Sequence, residues 1–253
     1  MGDTTADGTM PAFPTTIWSD IVAAGDPAHP QYRQRLDQLL RSYWKPVYAY
    51  VRAAWRKSVD DAKDLTQAFF AHVLEKGYVA RVASDRRSFR GYLKTALKHF
   101  VVDAERAAAV RRPEKPLWSL DAPPAELERI GPAAPDEPPE RVYDRQWFAC
   151  LLAASVDALK GQLEREGKRL YYEVFKRYIL DPELPGARVA PEIALSLPTY
   201  HEVARQLGIR ETDVGNYIRH CRTLLREIMR KRIREYVETD AEAERELEDF
   251  GKL

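Results

Sequence analysis

"TYHEVARQLGIRETDVGNYIRHCR", residues 199–222, packs two short amphipathic patterns around one glycine. Thr199 and Glu202 make a T-x-x-E capping box, in which the hydroxyl and the carboxylate satisfy orphan amides at a helix start. Val203, Ala204 and Leu207 give the first apolar stripe, Gly208 supplies the turn, and Ile209 plugs the corner. Val214, Ile218, Cys221, Leu225 and Ile228 space one buried face along a second helix. Its other face carries Thr212, Asn216, Arg219, His220, Arg222 and Thr223, with Arg226, Arg230 and Lys231 further on. Asn pairs with adenine and Arg with guanine at major-groove edges, and further cations meet phosphates. The same pattern suits a plain helical hairpin with a solvated face. The capping box, the small Ala204 and the basic, Asn-bearing second helix favour a DNA-reading helix-turn-helix.

The rest of the chain sets the context. Its 253 residues, 45% hydrophobic and 31% charged, suffice for one large or two modest domains. No run approaches eighteen uncharged apolar residues, so no membrane insertion is expected. The start, "MGDTTADGTMPAFPTT", lacks a basic segment followed by an apolar one, which argues against a secretory signal. Cys150 and Cys221 form no CxxC pair, which argues against a disulfide framework and a zinc site. A cytoplasmic location is the expectation.

A formal net charge of +1 hides strong segregation. Residues 86–112 hold eight cations against two anions, a local +6, and residues 199–236 hold nine against five, a local +4. The tail, 237–253, holds two cations against seven anions, a local −5. Local field steers a polyanion to a surface, so two basic regions suggest two contacts with one long partner. The acidic tail is expected to shield a basic helix.

Prolines mark the main boundary. Residues 113–140 contain eight of the seventeen, and that density predicts an extended, semi-stiff linker without helix. A shorter break, "LDPELPGARVAPEIALSLP", spans 180–198. Between the breaks the 3.6 period dominates. "RLDQLLRSYWKPVYAYVRAAW" (35–55) reads as helix kinked or restarted at Pro46, and "DDAKDLTQAFFAHVLEKG" (60–77) as helix ending at Gly77. "SFRGYLKTALKHFVVDAERAAAVRR" (88–112) reads as helix too, and residues 146–180 as two more. The fold class is all-α: two helical domains joined by the Pro-rich linker.

Within "DAKDLTQAFF" (61–70), Asp64 and Gln67 share a helix face, with Phe70 assigned beside them. Alone, this is also what a solvated helix face looks like. Its position ahead of the basic, aromatic-bearing helix, with the helix-turn-helix beyond a linker, resembles the bacterial RNA polymerase sigma factors, specifically the small extracytoplasmic-function group. "YWKPVYAYVRAAWRKSVDDAKDLTQAFFAHVLEKG" (43–77) and "FRGYLKTALKHFVVDAERAAAVRR" (89–112) resemble the two halves of sigma region 2. "YHEVARQLGIRETDVGNYIRHCRTLLRE" (200–227) resembles sigma region 4. The leading "TTIWSDIVAAGDP" (15–27) and the acidic tail are similar to a planctomycete-like subgroup.

The resemblance implies a region 2-like domain over 16–112, the linker 113–140, a region 4-like domain over 141–236 with its helix-turn-helix at 199–230, and the tail 237–253. It implies that Asp61, Asp64, Gln67 and Phe70 dock on the clamp helices of the polymerase's largest subunit. Lys98, His99, Asp103, Arg106, Arg111 and Arg112 then meet and open the downstream promoter element. Thr212, Asn216, Arg219, His220, Arg222 and Arg226 read the upstream one. Core RNA polymerase, including the flap of its second-largest subunit, and promoter DNA are the implied partners, with an anti-sigma factor or a kinase as further candidates. Three departures from the family stand out. His99 stands where many members carry Asn, and Arg210 occupies the usual Ser N-cap, partly offset by Asp213. Gly215 and Tyr217 replace residues that are commonly basic or polar.

No enzyme chemistry, cofactor or metal is expected. The five His show no metal spacing, and no GxSxG or HExxH occurs. "GQLEREGKR" (161–169) has five residues between its glycines and Arg169 where a P-loop needs Ser or Thr. Two other readings stay open: a helix-turn-helix regulator that acts as a dimer without polymerase, and a helical adaptor that binds acidic proteins.

Overall fold

The computed structural model describes residues 23–55, 58–80, 89–107, 124–130, 136–181, 198–234, 237 and 239–250. All regular structure among them is helical, and no strand occurs. The chain forms two compact units, one of residues 1–152 with 232–253, the other of 153–231.

In the first unit, α1 (Tyr32–Trp55) packs against α2 (Val59–Glu75) and α3 (Phe89–Ala107). α1 runs unbroken through Pro46, so the expected restart does not occur. Tyr43, Val47 and Val51 of α1, Leu65, Phe69 and Val73 of α2, and Leu93, Leu97 and Val101 of α3 are buried at the i, i+4 spacing read from sequence. Edge-on ring pairs tie α1 to α3 through Tyr43 and Phe89 at 5.1 Å, and α2 to α3 through Phe69 and Phe100 at 5.4 Å. Ser58 caps α2, its hydroxyl accepting from Asp61 N at 3.1 Å. Gly77 follows the end of α2 at φ +61°, as the sequence predicts.

The proline-rich stretch differs from expectation. Residues 113–123 and 131–135 lie outside the described residues, but α4 (Pro124–Arg129) is helical and α5 (Pro139–Arg165) begins inside the stretch. Pro124 and Pro139 each stand first in their helix, where a missing N–H costs nothing and the fixed φ suits the first turn. The boundary between the two compact units falls inside α5, between Leu152 and Ala153. Residues 141–152 belong to the first unit, and Val142, Tyr143, Trp147 and Leu151 on this part of α5 are buried. The C-terminal stretch belongs there as well, as helix α9 (Asp240–Phe250) with Ala243 fully buried.

The second unit holds the rest of α5, α6 (Arg169–Phe175) continued by a π-helical turn (Lys176–Leu180), α7 (Tyr200–Leu207) and most of α8 (Glu211–Arg234). Val174, Val203, Ala204, Val214 and Ile218 form one core cluster, and Leu159, Leu163, Phe175 and Cys221 a second. Burial pushes the Cys221 thiol up to about 12, so it behaves as a small apolar side chain rather than a nucleophile.

Candidate nucleic-acid interface

The helix-turn-helix forms as its local chemistry dictates. Thr199 and Glu202 make the full capping box: the Thr199 N–H donates to the Glu202 carboxylate at 2.7 Å, and Thr199 Oγ1 accepts from Glu202 N at 3.2 Å. The backbone and hydroxyl donors of Thr199 hold the Glu202 carboxyl below its ordinary value. Gly208 sits at φ +65° and ends α7 with a left-handed residue. Across the turn, His201 Nδ1 meets Glu211 Oε1 at 2.7 Å.

Arg210 does stand at the N-terminus of α8, and its guanidinium forks onto Asp213 at 2.9 and 3.0 Å. That pair holds the Asp213 carboxyl below its ordinary value and leaves an anion in the first turn, where the helix dipole favours it. Gly215 is explained by packing. A Cβ there would come within 3.3 Å of the Tyr200 ring, so the gap lets the ring of α7 lie against α8.

Thr212, Asn216, Arg219 and Arg226 are exposed on α8 at spacings of three, four and seven, which places them on one face. Arg222 is exposed beside that row. His220 is not part of it. Its ring lies edge-on to Tyr171 at 5.2 Å, Tyr171 stacks on Tyr217 at 3.9 Å, and His220 Nε2 is buried without a hydrogen-bond partner. The expected base contact is therefore corrected for Nε2: π packing from α6 covers that edge of the half-buried imidazole.

The second set of expected residues lies on α3. His99 and Asp103 are exposed there, Arg106 is placed by its backbone alone, and Arg111 and Arg112 lie outside the described residues. Lys98 is 60% exposed yet pairs with Glu140 at 3.0 Å. Burial works against the Glu140 carboxylate, but its backbone hydrogen bond and Lys98 outweigh that and hold its pKa low. Sequence reading missed what stands on either side. On one flank of α3, Tyr92 meets Tyr78 at 5.6 Å, Tyr78 meets His72 at 5.6 Å, and His72 meets Phe100 at 5.5 Å, a row of half-buried rings beside His99. Such ring edges and faces offer a stacking surface to unpaired bases. On the other flank stand Arg90 and Lys94, whose partners come from α5 and α9.

The third set lies on α2. Asp60 and Glu75 are exposed and Asp64, Gln67 and Ala71 half-buried, and their spacing makes one acidic row with a small residue within it. Asp61 is exposed at its edge, where its carboxylate accepts from the Ser58 hydroxyl at 2.8 Å. Phe70 is corrected: it is 3% exposed and packs on Phe69 at 5.6 Å. It supports the helix from below and offers no ring to a partner.

No described group of His, Cys, Asp and Glu is arranged to hold a metal ion, and no described helix is long and apolar enough to cross a membrane. No protein-family model, curated protein or solved structure matches the chain.

Proposed function

We propose that this chain is an initiation factor of the extracytoplasmic-function sigma type, which binds core RNA polymerase, directs it to a promoter class and helps separate the strands there. The observation that carries the reading is the α7–α8 pair: a capped helix, a left-handed Gly208 and an exposed row of Thr212, Asn216, Arg219 and Arg226. The acidic row of α2 adds to it. A repressor that works alone has no need of a second, acidic docking face in a separate unit, whereas a polymerase subunit does. In this reading α2 docks on the polymerase clamp helices, α8 reads the upstream element, and the Tyr92–Phe100 flank of α3 receives unstacked bases. Polymerisation belongs to the core enzyme, and the chain supplies positioning and strand separation only.

The experiment is reconstitution. Purified chain and core polymerase should give transcripts from a subset of promoter fragments, and Arg219→Ala should abolish most of them without loss of polymerase binding. Protection of a palindromic site by the chain alone, with no effect of added polymerase, would overturn the reading in favour of a dimeric regulator.

A further inference from the structure

Arg90, Lys94 and Lys98 follow one another at i, i+4 and i+8 along α3, the spacing of a cationic stripe suited to a phosphate backbone. All three are paired within the protein. Glu140 and Asp144, one turn apart on α5, take Lys98 at 3.0 Å and Lys94 at 2.8 Å. Arg90 bridges Asp144 at 3.2 Å and Glu246 of α9, with its guanidinium 4.8 Å from the Trp147 ring centroid.

The two sources of carboxylate differ in how firmly they are held. The α5 segment is anchored by Tyr143 and Trp147, both almost fully buried, and Tyr143 Oη donates to the Arg90 carbonyl at 3.4 Å. Among the described side chains of α9, Ala243 is fully buried and Leu247 half-buried, and Asp240 pairs with Arg234 of α8 at 3.0 Å. It is eleven residues long, too short to be a stable helix unaided. Thr239 and Glu242 start it with a capping box of their own, the Thr239 N–H donating at 3.0 Å and Glu242 N donating back at 3.2 Å. Burial pushes the Glu246 carboxyl up against the pull of Arg90, so desolvation offsets much of the attraction that holds α9 in place.

We propose that α9 is a displaceable acidic clasp: Glu246 occupies Arg90 in the unbound protein, and a nucleic-acid strand reaching α3 must take its place. The proposal rests on α3 meeting DNA, as the proposed function requires, and adds a brake to it. Asp144 keeps Lys94 and steadies Arg90 in both states, so opening exposes the guanidinium without leaving it unpaired. The clasp lowers affinity for polyanions in general, by the fraction of molecules in which α9 is undocked. A factor that binds DNA poorly until a larger assembly holds the strand against α3 is restrained from binding chromosomal DNA alone.

The test compares the full chain, a chain truncated after Val237 and the full chain carrying Glu246→Lys, with thermal unfolding as the check on folding. A labelled single-stranded oligonucleotide and heparin are the probes. Release of a clasp that is closed about nine times in ten raises affinity about tenfold at low salt. It also steepens the salt slope by about one, the mark of one added phosphate contact. Amide hydrogen exchange gives an independent readout: saturating oligonucleotide should deprotect residues 240–250 of the full chain. If truncation prevents folding, Glu246→Lys carries the test. Unchanged affinity for both polyanions, or protection of 240–250 that persists in the bound state, overturns the clasp. Should DNA bind no form while heparin affinity still rises on release, the clasp stands and the proposed function fails.

Discussion

Arg219 and His220 are neighbours on α8 with opposite surroundings, and replacing each should give opposite results. His220 presses its ring edge on Tyr171 and buries Nε2 without a hydrogen-bond partner. An orphaned buried polar atom costs about 1–3 kcal/mol, while an edge-to-face ring contact contributes about 0.5–1.5 kcal/mol. His220→Phe keeps the ring contact and removes the orphan, so a gain of about 1 kcal/mol is expected after some loss to imperfect fit. For a unit the size of residues 153–231, that raises the unfolding midpoint by about 4–8 °C. Affinity for duplex DNA should not change. Arg219 is exposed, so Arg219→Ala should leave stability within about 0.5 kcal/mol. Under the proposed function it should weaken DNA binding about tenfold, the cost expected for losing one arginine contact to a base. Thermal unfolding by circular dichroism and DNA binding by fluorescence anisotropy measure both quantities on the same samples. A His220→Phe variant that melts lower, or that loses DNA affinity while folded, would refute the inward placement of Nε2 and return His220 to the exposed row of α8.

Other outcomes follow from the same structure. Gly208→Ala meets no atom within 4 Å, so its cost is conformational alone, about 1 kcal/mol for a left-handed residue with a Cβ, and the melting temperature should drop accordingly. Phe70→Ala should cost about 3–5 kcal/mol, visible in urea unfolding of the first unit, because the ring is core. Gln67→Arg, on the half-exposed row, should fold normally and lose polymerase retention in a pull-down. Glu202 and Asp213 have carboxyl pKa values held low in the folded state, so their stabilisation is present above the unfolded carboxylate range, about pH 4, and is lost as pH falls through their folded values. Asp213→Asn should therefore flatten the acid limb of a pH–stability titration while leaving the melting curve's dependence above neutrality unchanged.

What is legible in the sequence is local. The capping box at Thr199, the turn at Gly208 and the apolar spacing of Val214, Ile218 and Cys221 all resolve within thirty residues, and all hold. What fails depends on geometry a few turns away or on partners far along the chain. Phe70 shares a short stretch with Asp64 and Gln67, but six residues from Asp64 is about 600° of helix, which leaves it about 120° off that face and toward the core. His220 follows Tyr171, which no periodicity on α8 reveals. The +6 charge around α3 is a property of one window, while its neutralising carboxylates stand 54 and 156 residues from Arg90. Proline density suggests extended chain, although Pro124 and Pro139 occupy first-turn positions that favour helix. One missed signal is present: Thr239 and Glu242 repeat the T-x-x-E pattern, which marks the tail as a helix.

The proposed function requires that the chain dock on core RNA polymerase through the acidic row of α2. Gel filtration of the purified chain with core polymerase, repeated with Asp64→Ala/Gln67→Ala, tests it most directly. The expected result is co-elution of the wild type at moderate salt and a clear loss for the double variant, with unchanged melting of both. Failure of the wild type to co-elute would contradict the polymerase-docking claim and leave a DNA-binding regulator as the reading to pursue.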